Sequence, residues 1–327
     1  MAGIGFHSYY LGMRDSMDNN GIFTMLNQWN VTVRDETDIL PIVTNAPEEW
    51  VMSTSKIVKK TFHGDFDNGS EREVALYKKP VANAIVQIDY KDLRRSGLRV
   101  EIAEDLTSYD KVIYNTVVSI WLNNERTTYI TPQMIYKIMT GDKNARLGNN
   151  TKQQIVKSLL KMLHTWINIR STPELAKIKE LTYKAPLLLG TLSEVTYRGG
   201  NKVVSLKLVD VPVLYEVSNY LNQVTRVPLS LLKSKEHYTD LGVVIRNYLL
   251  FRIECMKNRN NKIASKDILY TTLYDELFRS EVVSKKMKEM VKKKVSKVLE
   301  SFVNQNYIEN YSIIKEGNAT KKIAITF

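Results

Sequence analysis

Residues 284–302 read SKKMKEMVKKKVSKVLESF, seven lysines in nineteen positions with an apolar residue at almost every third or fourth step. Turning about 100° per residue from Met287 puts Met287, Val291, Val295, Val298 and Phe302 in one stripe, with Leu299 at its edge. That spacing predicts a helix with one face in a core. Opposite the stripe stand Lys286, Glu289, Lys293, Ser296, Lys297 and Glu300, with Lys285 and Lys292 on a flank. A helix lying on a membrane surface favours Trp, Phe or Leu across its apolar face, whereas a valine-rich stripe fits protein packing.

This helix has a counterpart upstream. LLKMLHTWI, 159–167, matches VSKVLESFV, 295–303, with Lys161 on Lys297 and Trp166 on Phe302. The helix containing it opens at GNNTKQQIVKSLLKML; Ile155, Leu159, Leu163 and Trp166 form its inner stripe, and Gln154, Lys157, Ser158 and Lys161 are predicted to point outward. Ahead of each copy lies a further match, YITPQMIYKIM at 129–139 and IASKDILYTTL at 263–273. Here Thr131 and Ser265 occupy N-cap positions, and Met134, Ile135 and Tyr136 align with Ile268, Leu269 and Tyr270. A long apolar-periodic helix precedes each pair, at 109–124 and 240–258.

Each copy ends in an expected hairpin. The first uses 187–197 and 202–209 around RGGN, the second 307–314 and 320–327 around KEGN, where Gly317 and Asn318 supply the positive-φ positions of a tight turn. Helix, short strand, helix, helix, hairpin is the order of a winged helix. The expected fold is therefore α+β and mainly helical, with two tandem winged-helix domains at 96–232 and 233–327. Residues 1–95 form an N-terminal accessory region with strand-like runs at 38–43 and 83–90, and the joint from it to the first repeat carries Arg94, Arg95 and Arg99.

Charge points to the partner. The 327 residues carry 47 Lys plus Arg against 35 Asp plus Glu, a formal net charge of +12. Residues 1–95 hold 11 basic and 13 acidic residues, leaving 36 basic and 22 acidic downstream, so the whole excess lies with the repeats. Between 284 and 327, ten Lys stand against four Glu, and the hairpin adds Lys315, Lys321 and Lys322 to the lysine-rich helix. A surface of that sign favours a polyanion. In the winged-helix arrangement the last helix of each copy, 148–163 and 284–302, enters the major groove. Lys285, Lys286, Lys292, Lys293, Lys297 and the hairpin lysines then grip phosphates. Gln154, Lys157, Ser158 and Lys161 are the first copy's contacts, and its amide can read an adenine edge.

Other classes lack their residues. A P-loop requires GxxxxGK[ST], and the chain contains no Gly-Lys dipeptide. The four histidines are isolated, which removes the paired-histidine metal site of a nickase, and a zinc cluster is missing as well. Asp65 and Asp67 in HGDFDNGSERE resemble an oxygen cluster for Mg²⁺ or Ca²⁺, but Gly69 takes the third ligand position of an EF-hand, and a polar turn is the better reading. The single cysteine, Cys255, reads as a structural helix residue. No enzymatic activity, metal or cofactor is expected. With no leader-like start and no long apolar run, the chain is expected in the cytoplasm and off the membrane.

Two tandem winged helices without a catalytic constellation resemble the initiators of theta-replicating plasmids. DYKDLRRSGLRVEIAEDLTSYDKVIYNTVVSIWLNN, followed by ITPQMIYKIMTG, is also similar to initiator-like proteins of Gram-positive mobile elements. The resemblance spans about residues 89–327 and implies recognition of repeated origin DNA. It further implies recruitment of a host helicase or its loader, and dimerisation through one domain. The N-terminal extension departs from that family. A winged-helix transcriptional regulator and a winged-helix protein-interaction adaptor are the alternatives, and a nuclease built on Asp65 and Asp67 is a third.

Overall fold

The computed structural model describes residues 30–31, 47–64, 66–77, 82–90, 105–123, 129–171, 182–196, 202–233, 239–257, 267–279, 282–316 and 319–327. The run at 38–43, Arg94, Arg95, Arg99, Asp65, Ser265, Gly317 and Asn318 lie outside them.

In chain order the N-terminal part contributes β1 (Asn30–Val31), β2 (Glu49–Ser53), α1 (Lys56–His63), β3 (Glu71–Tyr77) and β4 (Ala82–Tyr90). The first unit follows with α2 (Ser108–Asn123), β5 (Tyr129–Ile130), α3 (Pro132–Thr140) and α4 (Asn149–His164). It continues through β6 (Thr165–Ser171), β7 (Thr182–Pro186), β8 (Gly190–Thr196) and β9 (Lys202–Leu208). A connection of α5 (Val213–Tyr220), β10 (Val224–Pro228) and a 3-10 turn (Leu229–Leu232) leads onward. The second unit is α6 (Asp240–Lys257), β11 (Asp267–Leu269), α7 (Tyr270–Phe278), α8 (Lys285–Asn304), β12 (Asn310–Glu316) and β13 (Ala319–Thr326).

The chain is thus a mixed α+β protein, and both units share one topology. In each, the short strand ahead of the second helix pairs with the last strand of the hairpin. Ile130 lies opposite Leu206 in the sheet β8-β9-β5, and Ile268 lies opposite Ile323 in the sheet β11-β13-β12. β1 joins the first sheet in parallel beside β8. The second hairpin closes on the Glu316–Ala319 pair.

Two sequence expectations change. The first is the register of the repeat: Thr131 does cap α3, its hydroxyl accepting from Met134 N, but Ile268 and Leu269 belong to β11 and α7 starts at Tyr270. Structurally α3 therefore matches α7 one helical turn later than the sequence alignment placed it. A four-residue slip keeps nearly the same apolar face on a 3.6-residue helix, so pattern matching cannot detect it. The second concerns Trp166, which follows α4 on β6 and is not on its inner stripe.

The N-terminal strands are built into the first unit. β4 pairs with β6, Ile88 opposite Ile167, in a sheet ordered β3-β4-β6-β7, and β2 pairs with β10. A boundary at 95/96 therefore falls between strands of one sheet. β2 also rests on α2: Trp50 Nε1 donates to Thr116 Oγ1 at 3.2 Å and Val51 N to Ser119 Oγ at 2.8 Å. Helices α2 and α6 pack against each other and are buried nearly all round, so the one-sided apolar period expected of them is weak. Cys255 is half-buried on α6.

Candidate nucleic-acid interface

Helix α8 begins where Ser284 Oγ accepts from Met287 N at 3.3 Å, satisfying one of the unpaired amides of a helix start. Val291, Val295, Val298, Leu299 and Phe302 are each fully buried, and at roughly 1.5–3 kcal/mol per such side chain they hold the helix to α6. Lysines make up most of the opposite face.

Those lysines divide into two groups. Lys294 donates to Thr239 Oγ1 at the foot of α6 at 3.1 Å, Lys288 lies 5.8 Å from the Tyr274 ring centre, and Lys292 pairs with Glu289 at 2.9 Å. The Lys292 hydrogen bond and charge, with Lys285 and Lys293 nearby, hold Glu289 below the usual carboxylate range. Lys285, Lys286, Lys293 and Lys297 are exposed. Toward the C-terminal end the hairpin approaches, and Tyr311, raised by burial and by Glu300, also bonds Ser296. Ser296 is therefore half-covered rather than fully outward. The hairpin presents Lys315, and Lys321 pairs with Glu316. Lys322 does not project as expected: its ammonium lies 2.6 Å from Asp267 Oδ2, tying β13 to β11.

Helix α4 behaves differently along its length. At its start Asn149, Asn150, Gln153 and Gln154 are exposed, and Lys152 and Lys157 are half-buried. The preceding turn adds exposed Lys143, Asn144 and Arg146. That turn is held from both sides: Gln133 donates to Ala145 O at 2.8 Å and accepts from Leu147 N at 3.3 Å, while Asp142 accepts from Asn144 N at 2.8 Å. The later half of α4 is enclosed by α2 on one side and by β7 and β8 on the other.

Ser158 and Lys161 lie in that enclosed half, which corrects their outward placement. They are 3% and 5% exposed. Lys161 Nζ is 3.0 Å from Asp110 Oδ2 and 3.3 Å from Asp105 O. Asp110 is itself half of a capping box at the start of α2, accepting from Thr107 N at 2.8 Å while its own amide donates to Thr107 Oγ1 at 3.2 Å. A buried ammonium requires such a partner, and this one comes from 51 residues away. Sequence reasoning also overlooked Lys143, Arg146, Lys152, Asn149, Asn150 and Gln153. The polar, basic run GDKNARLGNNTKQQ ahead of the first buried isoleucine was the available signal.

Among the described residues there is no group of three or more metal-ligating side chains, and no helix is long and apolar enough to cross a membrane. Asp67 is exposed and pairs with Arg72 at 3.1 Å.

No protein-family model matches the chain, and no curated protein does either. Among solved structures, the chain is similar to a selenomethionine crystal structure of domain 2 and domain 3 of RctB, with a TM-score of 0.43 and 12% identity over 84% of this chain and 96% of that one. It is likewise similar to RctB domains 2-3, with a TM-score of 0.44 and 10% identity over 83% of this chain and 96% of that one. At those values the likeness concerns the course of the chain alone.

Proposed function

We propose that the chain is a non-catalytic, sequence-specific double-stranded DNA-binding protein built on two tandem winged helices, acting in the cytoplasm at the replication origin of a plasmid or other mobile element. The observation that carries the DNA reading is the exposed lysine face of α8 beside the β12–β13 hairpin: Lys285, Lys286, Lys293 and Lys297 on the helix, Lys315 and Lys321 on the strands. A helix of this kind set into the major groove brings its outward residues to base edges and its flanking cations to phosphates. In the first unit, the exposed amides Asn149, Asn150, Gln153 and Gln154 suit bidentate recognition of adenine, with Lys143, Arg146, Lys152 and Lys157 along the backbone. The origin role, recruitment of a host helicase or its loader, and a homodimer rest on the initiator resemblance.

Mobility-shift titrations against duplex DNA test the reading. If six to ten phosphates are neutralised, affinity falls roughly 10³- to 10⁵-fold between 50 and 200 mM salt. Replacing Lys286, Lys293 and Lys297 together with Ala is expected to weaken binding to every sequence and to flatten the logarithmic salt slope by about 3. Gln154→Ala is expected to relax preference at one base pair instead. Unchanged affinity in the triple variant would remove α8 from the interface.

A further inference from the structure

The joint between the two units is crossed by cations in both directions. Arg246 of α6 is fully buried and donates to Met139 O at 2.5 Å and Leu232 O at 2.9 Å. Burial lowers it to about 9, so it still carries charge at neutral pH. Met139 lies in the last turn of α3, where carbonyls lack helical partners and the helix dipole is negative. In the opposite direction Lys111 of α2, also buried, sits 5.0 Å from the Phe251 ring centre and within the field of Glu276 in the last turn of α7. The first helix of each unit thus sends a cation toward the C-terminal end of the other unit's short helix.

Further contacts converge on the same end of α7. Lys59 of α1 reaches Glu276 at 3.2 Å, and Ser108 Oγ donates to Glu276 O at 3.2 Å. The next group is Arg279, the C-cap residue, which holds a left-handed backbone at φ 49°. Non-glycine residues avoid that region at a cost of about 1–2 kcal/mol, so an arginine there signals that its side chain matters. Its guanidinium reaches Asp105 Oδ2 at 3.2 Å and also donates to Leu106 O. Gly64 makes room for it, since a Cβ there would lie 2.6 Å from Nη1. The segment that Arg279 grips also receives Lys161 from α4, at Asp105 O and Asp110. The first unit's groove-facing helix and the second unit's short helix are fastened to one stretch of chain.

We propose that these contacts make the two units a single reading head, and that Arg246, Lys111, Glu276 and Arg279 are positioning residues that fix the separation of the two half-sites it binds. The inference rests on the DNA-binding reading. Units on a loose joint accept a range of spacers, because each engages independently and the linker supplies only effective concentration. A rigid pair accepts one, since each inserted base pair swings the second half-site by about 35° around the duplex.

The test uses the full chain and a library of random-sequence duplexes. The unaltered protein is expected to select a bipartite motif with one spacer. The double variant Glu276→Gln, Arg279→Gln removes both charges while leaving polar side chains, and its folding is checked by far-UV circular dichroism. It is expected to select the same half-sites with spacers spread over several lengths. Spin labels at Thr191→Cys and Asn304→Cys in a Cys255→Ser background read the joint without DNA. The distance distribution is expected to widen about twofold in the double variant. Retention of one spacer and a narrow distribution by that variant overturns this inference alone. Selection of no motif by the unaltered chain overturns the DNA reading, and with it the role given to these residues.

Discussion

Lys161 and Lys297 occupy the same place in the repeat and have opposite lives. Lys161 has a side chain 6% exposed against an Asp110 that is 2% exposed, whereas Lys297 stands on the exposed face of α8. What differs is the surroundings. In the first unit the chain inserts β6 and β7 before its hairpin and joins them to β4, so the later half of α4 is covered. The second unit passes from α8 straight into β12, and the lysine face stays open to water. One topology thus yields a helix with a short exposed start and another with a long one. The same residue type becomes a structural ion in the first and a surface charge in the second.

The largest expected effect breaks that comparison directly. Lys161→Ala leaves Asp110 as a buried, uncompensated carboxylate, and urea unfolding is expected to show a loss of about 3–5 kcal/mol. Lys297→Ala is expected to leave the unfolding midpoint in place and to weaken DNA binding. Equal effects of the two on stability would mean that the enclosure of α4 has been misread.

How much of this was legible follows from the range of each interaction. Local signals served well: Thr131 as a cap, the stripe from Val291 to Phe302, the two long helices, and both hairpins all came from spacing within a few residues. The register of the repeat failed because a slip of one helical turn leaves the stripe nearly unchanged. Ser158 and Lys161 failed for another reason. Their environment is made by α2 and by β7 and β8, elements distant in sequence, and a lysine whose partner lies 51 residues away has the same local context as a solvated one. Lys322 repeats the lesson across 55 residues, its charge spent on Asp267. The sign of a surface was readable, but which of its cations turn inward was not.

The ends of the two short helices give a second, smaller contrast. α3 closes on Gly141 at φ 66° and α7 on Arg279 at φ 49°, the same left-handed turn made by the residue best suited to it and by one poorly suited. Gly141 is required twice over, because a Cβ would lie 2.5 Å from Lys233 N and 2.6 Å from Leu232 C, both backbone atoms that cannot swing aside. Gly141→Ala is expected to destabilise by about 2–3 kcal/mol in chemical denaturation, from strain plus displacement of the 3-10 turn.

At Arg279 the backbone and the side chain pull in opposite senses, and a pair of substitutions separates them. Arg279→Ala removes the guanidinium from Asp105 and Leu106 while keeping a Cβ in the left-handed region. Arg279→Gly removes the same contacts and relieves the strain as well. The glycine variant is therefore expected to be the more stable of the two by about 1 kcal/mol, less a few tenths for glycine's greater freedom when unfolded. Denaturant midpoints of the two proteins, measured side by side, read that difference directly. An alanine variant as stable as the glycine one would show that the turn at 279 is not strained, and the case for a side chain retained against its backbone preference would lose its footing. A glycine variant as stable as the unaltered protein but with a widened distribution of inter-unit distances would show that the arginine is kept for the geometry of the joint and not for the stability of α7.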